Sequence, residues 1–153
     1  MSADVIRPIL QDFQGDIEHG PGAMVGEIAD CERELGVRFV GSFFHYLQTY
    51  GWLNVGSNEI YGLGATIESW RRLKEMTLSE RTEMSPPLPR HLVTFYNDGF
   101  GNQHCLDARY VVDDEHRIVF WNHELGPDQT PAFIANSFAD WLRLLIAAEQ
   151  EES

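Results

Sequence analysis

Between Leu92 and Glu124 the chain alternates β-branched and aromatic runs with turn residues, and this stretch constrains the fold more than any other. It reads Leu92-Val93-Thr94-Phe95-Tyr96, then Asn97-Asp98-Gly99-Phe100-Gly101-Asn102, then Gln103-His104-Cys105-Leu106-Asp107, and closes on Ile118-Val119-Phe120-Trp121-Asn122-His123-Glu124. Apolar runs around Asn, Asp and Gly are the pattern of consecutive antiparallel strands. Strands are predicted at 92–97, 103–107, 109–113 and 118–122, with Asp113-Asp114-Glu115-His116 as a charged turn. A sheet of this kind has to be covered, and the helical segments on either side of it in sequence are the available partners.

Those segments are legible from their period. Ile6, Ile9, Leu10 and Phe13 have the spacing of a short first helix. A second helix is predicted from Met24 to Leu35, with Val25, Ile28, Ala29 and Leu35 inward, its glutamates solvated, and Gly36 just past its end. Ser42 is the expected cap of a third, whose Phe43, Tyr46, Leu47 and Tyr50 form one apolar stripe ending at Gly51. Residues 52–56 and 59–64 read as a hairpin turning at Gly56-Ser57-Asn58. Thr66 is the expected cap of a helix carrying Ile67, Trp70, Leu73 and Met76, and residues 77–90, with Pro86, Pro87 and Pro89, read as a surface connection. Ser137-x-x-Asp140 opens a last helix whose stripe is Phe138, Trp141, Leu142, Leu145 and Ile146, followed by a solvated tail from Glu149 to Ser153.

Charge and cysteine content exclude several classes. With 24 acidic against 11 basic residues, the formal net charge is -13, which would repel a phosphate backbone, so nucleic acid is not an expected partner. The same charge attracts a basic protein and speeds the encounter. Two distant cysteines, Cys31 and Cys105, suit buried thiols in a reducing compartment. No apolar run reaches the length of a membrane span, and the first residues lack the pattern of a secretory signal, so a cytoplasmic protein is expected.

The chemically suggestive residues of the 92–124 stretch each have a structural explanation. His104 and Cys105 are adjacent and on a strand would face opposite ways, which disfavours a shared metal. Cys105 with His123 as base is conceivable, yet Cys105 is in phase with apolar strand neighbours. Asp98, Asp107 and Glu124 could pair for acid–base work on a glycoside, but each lies at a turn or strand end where a carboxylate bonds local backbone. Gly62-x-Gly64 lacks the third glycine of a dinucleotide loop. No catalytic set, metal site or cofactor is expected.

The order of motifs resembles the SUKH superfamily, which includes the Smi/Knr type of cell-wall regulator and many bacterial immunity proteins. Glu32, Leu35, Gly36 and Phe39, then Phe43, Tyr46, Leu47, Tyr50 and Gly51, match its first motif, with Val40 where the family usually has proline. Ile60-Tyr61-Gly62-Leu63 matches its Gly-Leu strand end. Phe95, Asp98, Gly101, Leu106 and Asp107 match its middle motif, with Asn102 in place of the common Asp. Val119, Trp121, His123, Ser137, Phe138, Trp141 and Leu142 match its last, with one residue fewer between Val119 and Trp121.

The resemblance implies an α+β fold, a mostly antiparallel sheet covered by helices, as a single domain over 1–153 with its core at about 25–147. It implies no enzymatic activity and no metal. It also implies an immunity protein that binds and neutralises a cognate bacterial toxin, such as a basic nuclease met by an acidic surface. The alternative is a regulatory or scaffold interaction module of the cell-wall-regulator type, and a hydrolase using Asp98, Asp107, His104 or His123 is a third. The expected partner-binding residues are Asp98, Asn102, Asp113, Asp114, Glu115 and Glu124.

Overall fold

The computed structural model describes residues 4–151; Met1 to Ala3, at the start of the N-terminal segment, and Glu152 and Ser153, at the end of the expected tail, lie outside the described residues. In chain order the elements are α1 (Arg7–Gln11), β1 (Ile17–His19), α2 (Val25–Leu35), α3 (Gly41–Thr49), β2 (Leu53–Val55), β3 (Asn58–Ile60), α4 (Leu73–Thr82), β4 (Leu92–Asn97), β5 (Gln103–Val112), β6 (Glu115–Trp121), β7 (Ala132–Ala135) and α5 (Phe138–Glu151). A 3-10 turn at Ser69–Arg71 precedes α4.

The fold is α+β, and its strands form two antiparallel sheets. The larger has the order β4-β5-β6-β7 and the smaller β1-β2-β3. The predicted strand at 109–113 is the outer half of β5, continuous with 103–107 through a register shift between Asp107 and Val111. β1 and β7 carry little sequence signal. Each is short, and each owes its place to the strand it pairs with, Ile17 with Val55 and Phe133 with Val119.

Period-2 alternation gives the large sheet two buried faces. Val93, Phe95, Leu106 and Ile118 face the main core with α3 and α5. Leu92, Cys105, Val119 and Trp121 form a second cluster, closed by Leu88. Leu88 belongs to the proline-containing segment predicted as a surface connection, so that segment also supplies a buried cover for the second face. The β4 edge is blocked by side chains and backbone together. The Tyr61 N–H donates to Phe95 O at 2.8 Å, the Thr77 hydroxyl to Thr94 O at 3.3 Å, and Arg81 Nη2 to Leu92 O at 3.1 Å. An edge strand with its carbonyls occupied cannot template pairing with another chain.

Three helix predictions are corrected. α2 buries Ile28, Cys31 and Leu35, whereas Val25 and Ala29 are exposed. Its acids are not idle: Glu32 accepts the Phe39 N–H at 2.7 Å and Glu27 the Gly64 N–H at 3.0 Å. The helix expected from Thr66 starts only at Leu73 and runs into the supposed connection, to Thr82. Trp70 therefore falls in the 3-10 turn and is 60% exposed. The reason for the late start is Arg71, buried and donating to Leu53 O at 3.1 Å and Ile60 O at 3.2 Å, which holds residues 69–72 against the β2–β3 hairpin. The start of α3 also differs from expectation, because the tip of the β5–β6 hairpin reaches it.

Candidate partner-binding surface

The residues expected to meet a partner fall at opposite ends of the large sheet. Asp98 and Asn102 precede β5, and Asp113, Asp114 and Glu115 follow it. From Gln103 to Val112 an extended strand spans roughly 30 Å. Asn102 and the Glu124 region come together, because the His123 N–H donates to Asn102 Oδ1 at 3.3 Å and His123 Nδ1 lies 3.0 Å from the same oxygen. The two acidic groups do not merge into one patch.

At the first end, Asp98 organises its own loop. Its Oδ1 accepts the N–H groups of Phe100 at 2.8 Å and Asn102 at 3.2 Å, and its Oδ2 accepts Asn102 Nδ2–H at 3.0 Å. Partial burial works against its charge, but these hydrogen bonds outweigh it and hold the carboxyl below its ordinary range. The loop presents Phe100, 80% exposed, at its tip. Asn102, in place of the family's aspartate, donates to Asp98 and accepts from His123 at once, which a carboxylate could not do.

At the second end, Asp113 and Asp114 both have positive φ, 54° and 61°, the geometry of a two-residue hairpin turn of type I′. Both side chains are exposed. Glu115 turns back towards the helices instead. It accepts the Ser42 N–H at 3.0 and 3.1 Å and the Ser42 hydroxyl at 2.8 Å, while Ser42 Oγ accepts the Ala139 N–H at 3.0 Å. Ser42 is thus not the cap of α3. The helix starts at Gly41, and the Ser42 N–H in its first turn is met by a carboxylate 73 residues away. Burial raises the Glu115 carboxyl, against the lowering effect of the Ser42 contacts. Gly41 sits beneath the tip at φ 61°, where any Cβ would collide with the Asp114 carbonyl. On one side of the tip lies a cavity of about 380 Å³, with Tyr110, Arg117 and Asp140 among its walls.

The catalytic alternatives find these groups dispersed. Cys105 is fully buried in the second cluster, and burial pushes its thiol well up. His123 lies beyond the end of β6, in the turn after Trp121 where Asn102 holds it, whereas Cys105 pairs with Val119 inside the strand. Asp107 is bound to Arg109 through Oδ1 at 3.3 Å and Oδ2 at 3.4 Å. Among the described residues there is no group of three or more His, Cys, Asp or Glu placed to hold a metal ion. No helix among them is long and apolar enough to cross a membrane.

His104 packs on the main-core face, where Trp141 Nε1–H donates to its Nδ1 at 2.8 Å. An indole can only donate, so the ring is neutral with its proton on Nε2. Burial brings its pKa from the usual 6.5 down to about 4, against the opposing pull of Asp98. The unfolded chain takes up a proton below about 6.5 that the folded chain refuses. Stability is therefore full above that pH and falls as pH drops towards 4, by roughly 3 kcal/mol for this residue. His116, also lowered chiefly by burial, acts in the same direction. Urea unfolding at pH 7.5 and 4.5 should show this loss, and a smaller one in His104→Gln. An equal loss in the variant would refute the assignment.

The fold and its motifs define a small α+β protein of the SUKH type. The sequence profile of SUKH_6, described as SMI1-KNR4 cell-wall, matches residues 26–142, and the chain belongs to this family. Among solved structures, a protein from Pseudomonas syringae pv. tomato is similar over 92% of this chain and 94% of that one, with a TM-score of 0.64 and 16% identity, a likeness of fold. No curated protein matches the chain. The structure gives the motifs physical content. Glu32 braces the Leu35-Gly36-Phe39 turn, in which Gly36 has φ 71°. Val40, where the family usually has proline, donates its N–H to His116 Nε2 at 3.0 Å, a bond proline could not make.

Proposed function

We propose that this protein is an immunity protein: a stoichiometric, non-catalytic binder that neutralises a cognate basic toxin of the nuclease kind through its acidic surface. The observation that carries this reading is membership of the SMI1-KNR4 family in a chain with a formal net charge of -13. A nuclease must hold a polyanion and so presents basic residues, which an acidic protein can occupy. Not all the acids are available. Glu27, Glu32, Asp98 and Glu115 accept backbone N–H groups, whereas Asp113, Asp114 and Glu124 are exposed. The exposed acids, at the two ends of the sheet, are the proposed points of first encounter; Asp98, Asn102 and Glu115 shape the loops that present them.

Co-expression with the product of the neighbouring gene, expected to be the toxin, tests the reading. The expected result is rescue of growth and a one-to-one complex whose association slows at least tenfold between 50 and 500 mM salt, because steering between unlike charges is screened. Absence of both rescue and complex, with housekeeping proteins captured instead, would favour the regulatory-module reading that the cell-wall description of the family suggests.

A further inference from the structure

Beside the Asp98 loop, separate from the acidic tip, lies a groove of about 400 Å³. Its floor and walls include Tyr61, Trp70 and Tyr96, and its rim includes Glu59 and Asp98. No lysine or arginine lines it. Tyr61 is buried, and Tyr96 is fixed by its hydroxyl donating to Asn58 Oδ1 at 2.6 Å. Trp70 differs. It is held on the 3-10 turn by the buried Arg71 and leaves 60% of its surface to solvent. Glu59 and Glu68 lie 3.5 and 3.9 Å from Arg71 Nη1, and both carboxylates are about half exposed. Two carboxylates thus share one buried guanidinium, Asp98 adds a further negative charge to the groove lining, and no cation of the lining offsets them beside the open indole.

We infer that this groove receives an arginine side chain from a basic segment of a partner protein, stacked on Trp70 and paired with Glu59. The charge of the rim selects a cation. A planar guanidinium stacks on an indole and bonds a carboxylate edge-on, and it is less strongly hydrated than an ammonium. Exposed tryptophan and partner arginine are also the residue types that dominate binding energy at protein interfaces. The groove inference deepens the proposed neutralising function by naming a contact, and it rests on that reading only for the identity of the partner.

The test uses a peptide, acetyl-Gly-Arg-Gly-amide, and its citrulline twin, which keeps the shape and loses the charge. In amide and indole NMR spectra of the full chain, the arginine peptide is expected to shift Trp70, Tyr61, Tyr96 and Asn97 to Gly99, and the twin is not. Trp70→Ala should weaken binding at least fivefold and Trp70→Tyr should restore most of it, with spectra that otherwise overlay those of the unsubstituted protein. Shifts centred on Asp113 and Asp114, equal shifts with the twin, or undiminished binding by Trp70→Ala would each overturn the groove. Toxin neutralisation separates the two readings. Full neutralisation by Trp70→Ala overturns the groove and leaves the neutralising function standing. Arginine binding in the groove by a protein that neutralises no toxin supports the groove and removes the immunity reading.

Discussion

Gly62→Ala is expected to be among the most damaging single changes in this protein, lowering stability by at least ~3 kcal/mol or preventing folding outright. A Cβ at this position would overlap the Gly51 carbonyl oxygen and stand 2.8 Å from the Gly51 carbonyl carbon and 3.0 Å from Trp52 Cα. All three are backbone atoms, so no rotamer change relieves the clash. The approach cannot simply widen. The Leu63 N–H donates to Gly51 O at 2.9 Å, the Leu73 N–H to Gly62 O at 2.8 Å, and the Gly62 N–H to Arg71 O at 3.1 Å. Gly51 is itself at φ 77°, at the end of the aromatic helix α3. Two glycines from separate motifs thus form one contact, which seats α3 against the segment leading into α4. Thermal unfolding followed by circular dichroism measures the effect. Gly126→Ala is the control, since nothing lies within 4 Å of its added Cβ, and it should change stability by less than ~0.5 kcal/mol. Equal behaviour of the two variants would show that the close approach is not rigid.

Phe138→Ala should cost about 3–5 kcal/mol. Phe138 is completely buried at the first turn of α5, with ring centroids of Phe43 at 5.1 Å, Tyr46 at 4.8 Å, Phe95 at 5.4 Å and Trp141 at 5.7 Å. It is where α3, β4 and α5 meet, so its removal leaves a cavity bounded by rings that are themselves closely packed. The Tyr46 hydroxyl donates to Tyr61 O at 2.7 Å, so that ring is not free to swing inward. Cavities whose walls cannot collapse fall at the costly end of such substitutions. The melting temperature should drop by roughly 10 °C for a chain of this size. Phe138→Leu, which refills most of the volume, should lose less than half as much. Similar losses for Ala and Leu would mean that ring geometry matters more than volume here.

Both residues were visible in the sequence as members of motifs, and only their consequences were hidden. Phe138 stood out through the 3.6-residue period of α5, and the capping serine before it behaves as the sequence implied, with the Asp140 N–H donating to Ser137 Oγ at 3.0 Å. The second half of that expected pair is different: the Asp140 carboxylate bonds Arg143 at 2.6 Å. Of the candidate surface, the turn residues Asp98, Asp113 and Asp114 were legible because turn chemistry is local. The groove was not, because Trp70 read as a core residue of a helix. That mistake has a clear origin: the spacing Ile67, Trp70, Leu73 suits a helix, and nothing nearby in sequence announces that Arg71 will be buried under β2 and β3.

The sequence by itself determined the strands of the 92–124 stretch, the apolar stripes of α3 and α5, the turn glycines and the family. These follow from period and turn preference, which neighbouring residues carry among themselves. Only the tertiary structure decided that Glu115 caps α3, that Leu88 closes the second face of the sheet, and that Trp70 stands open beside Asp98. In each case an acceptor, a cover or a neighbour is supplied from a distant part of the chain. Backbone N–H groups and apolar faces must be satisfied somewhere, but local sequence does not say by whom. The 92–124 stretch is accordingly a core sheet, with its two ends shaped by partners that its own alternation could not reveal.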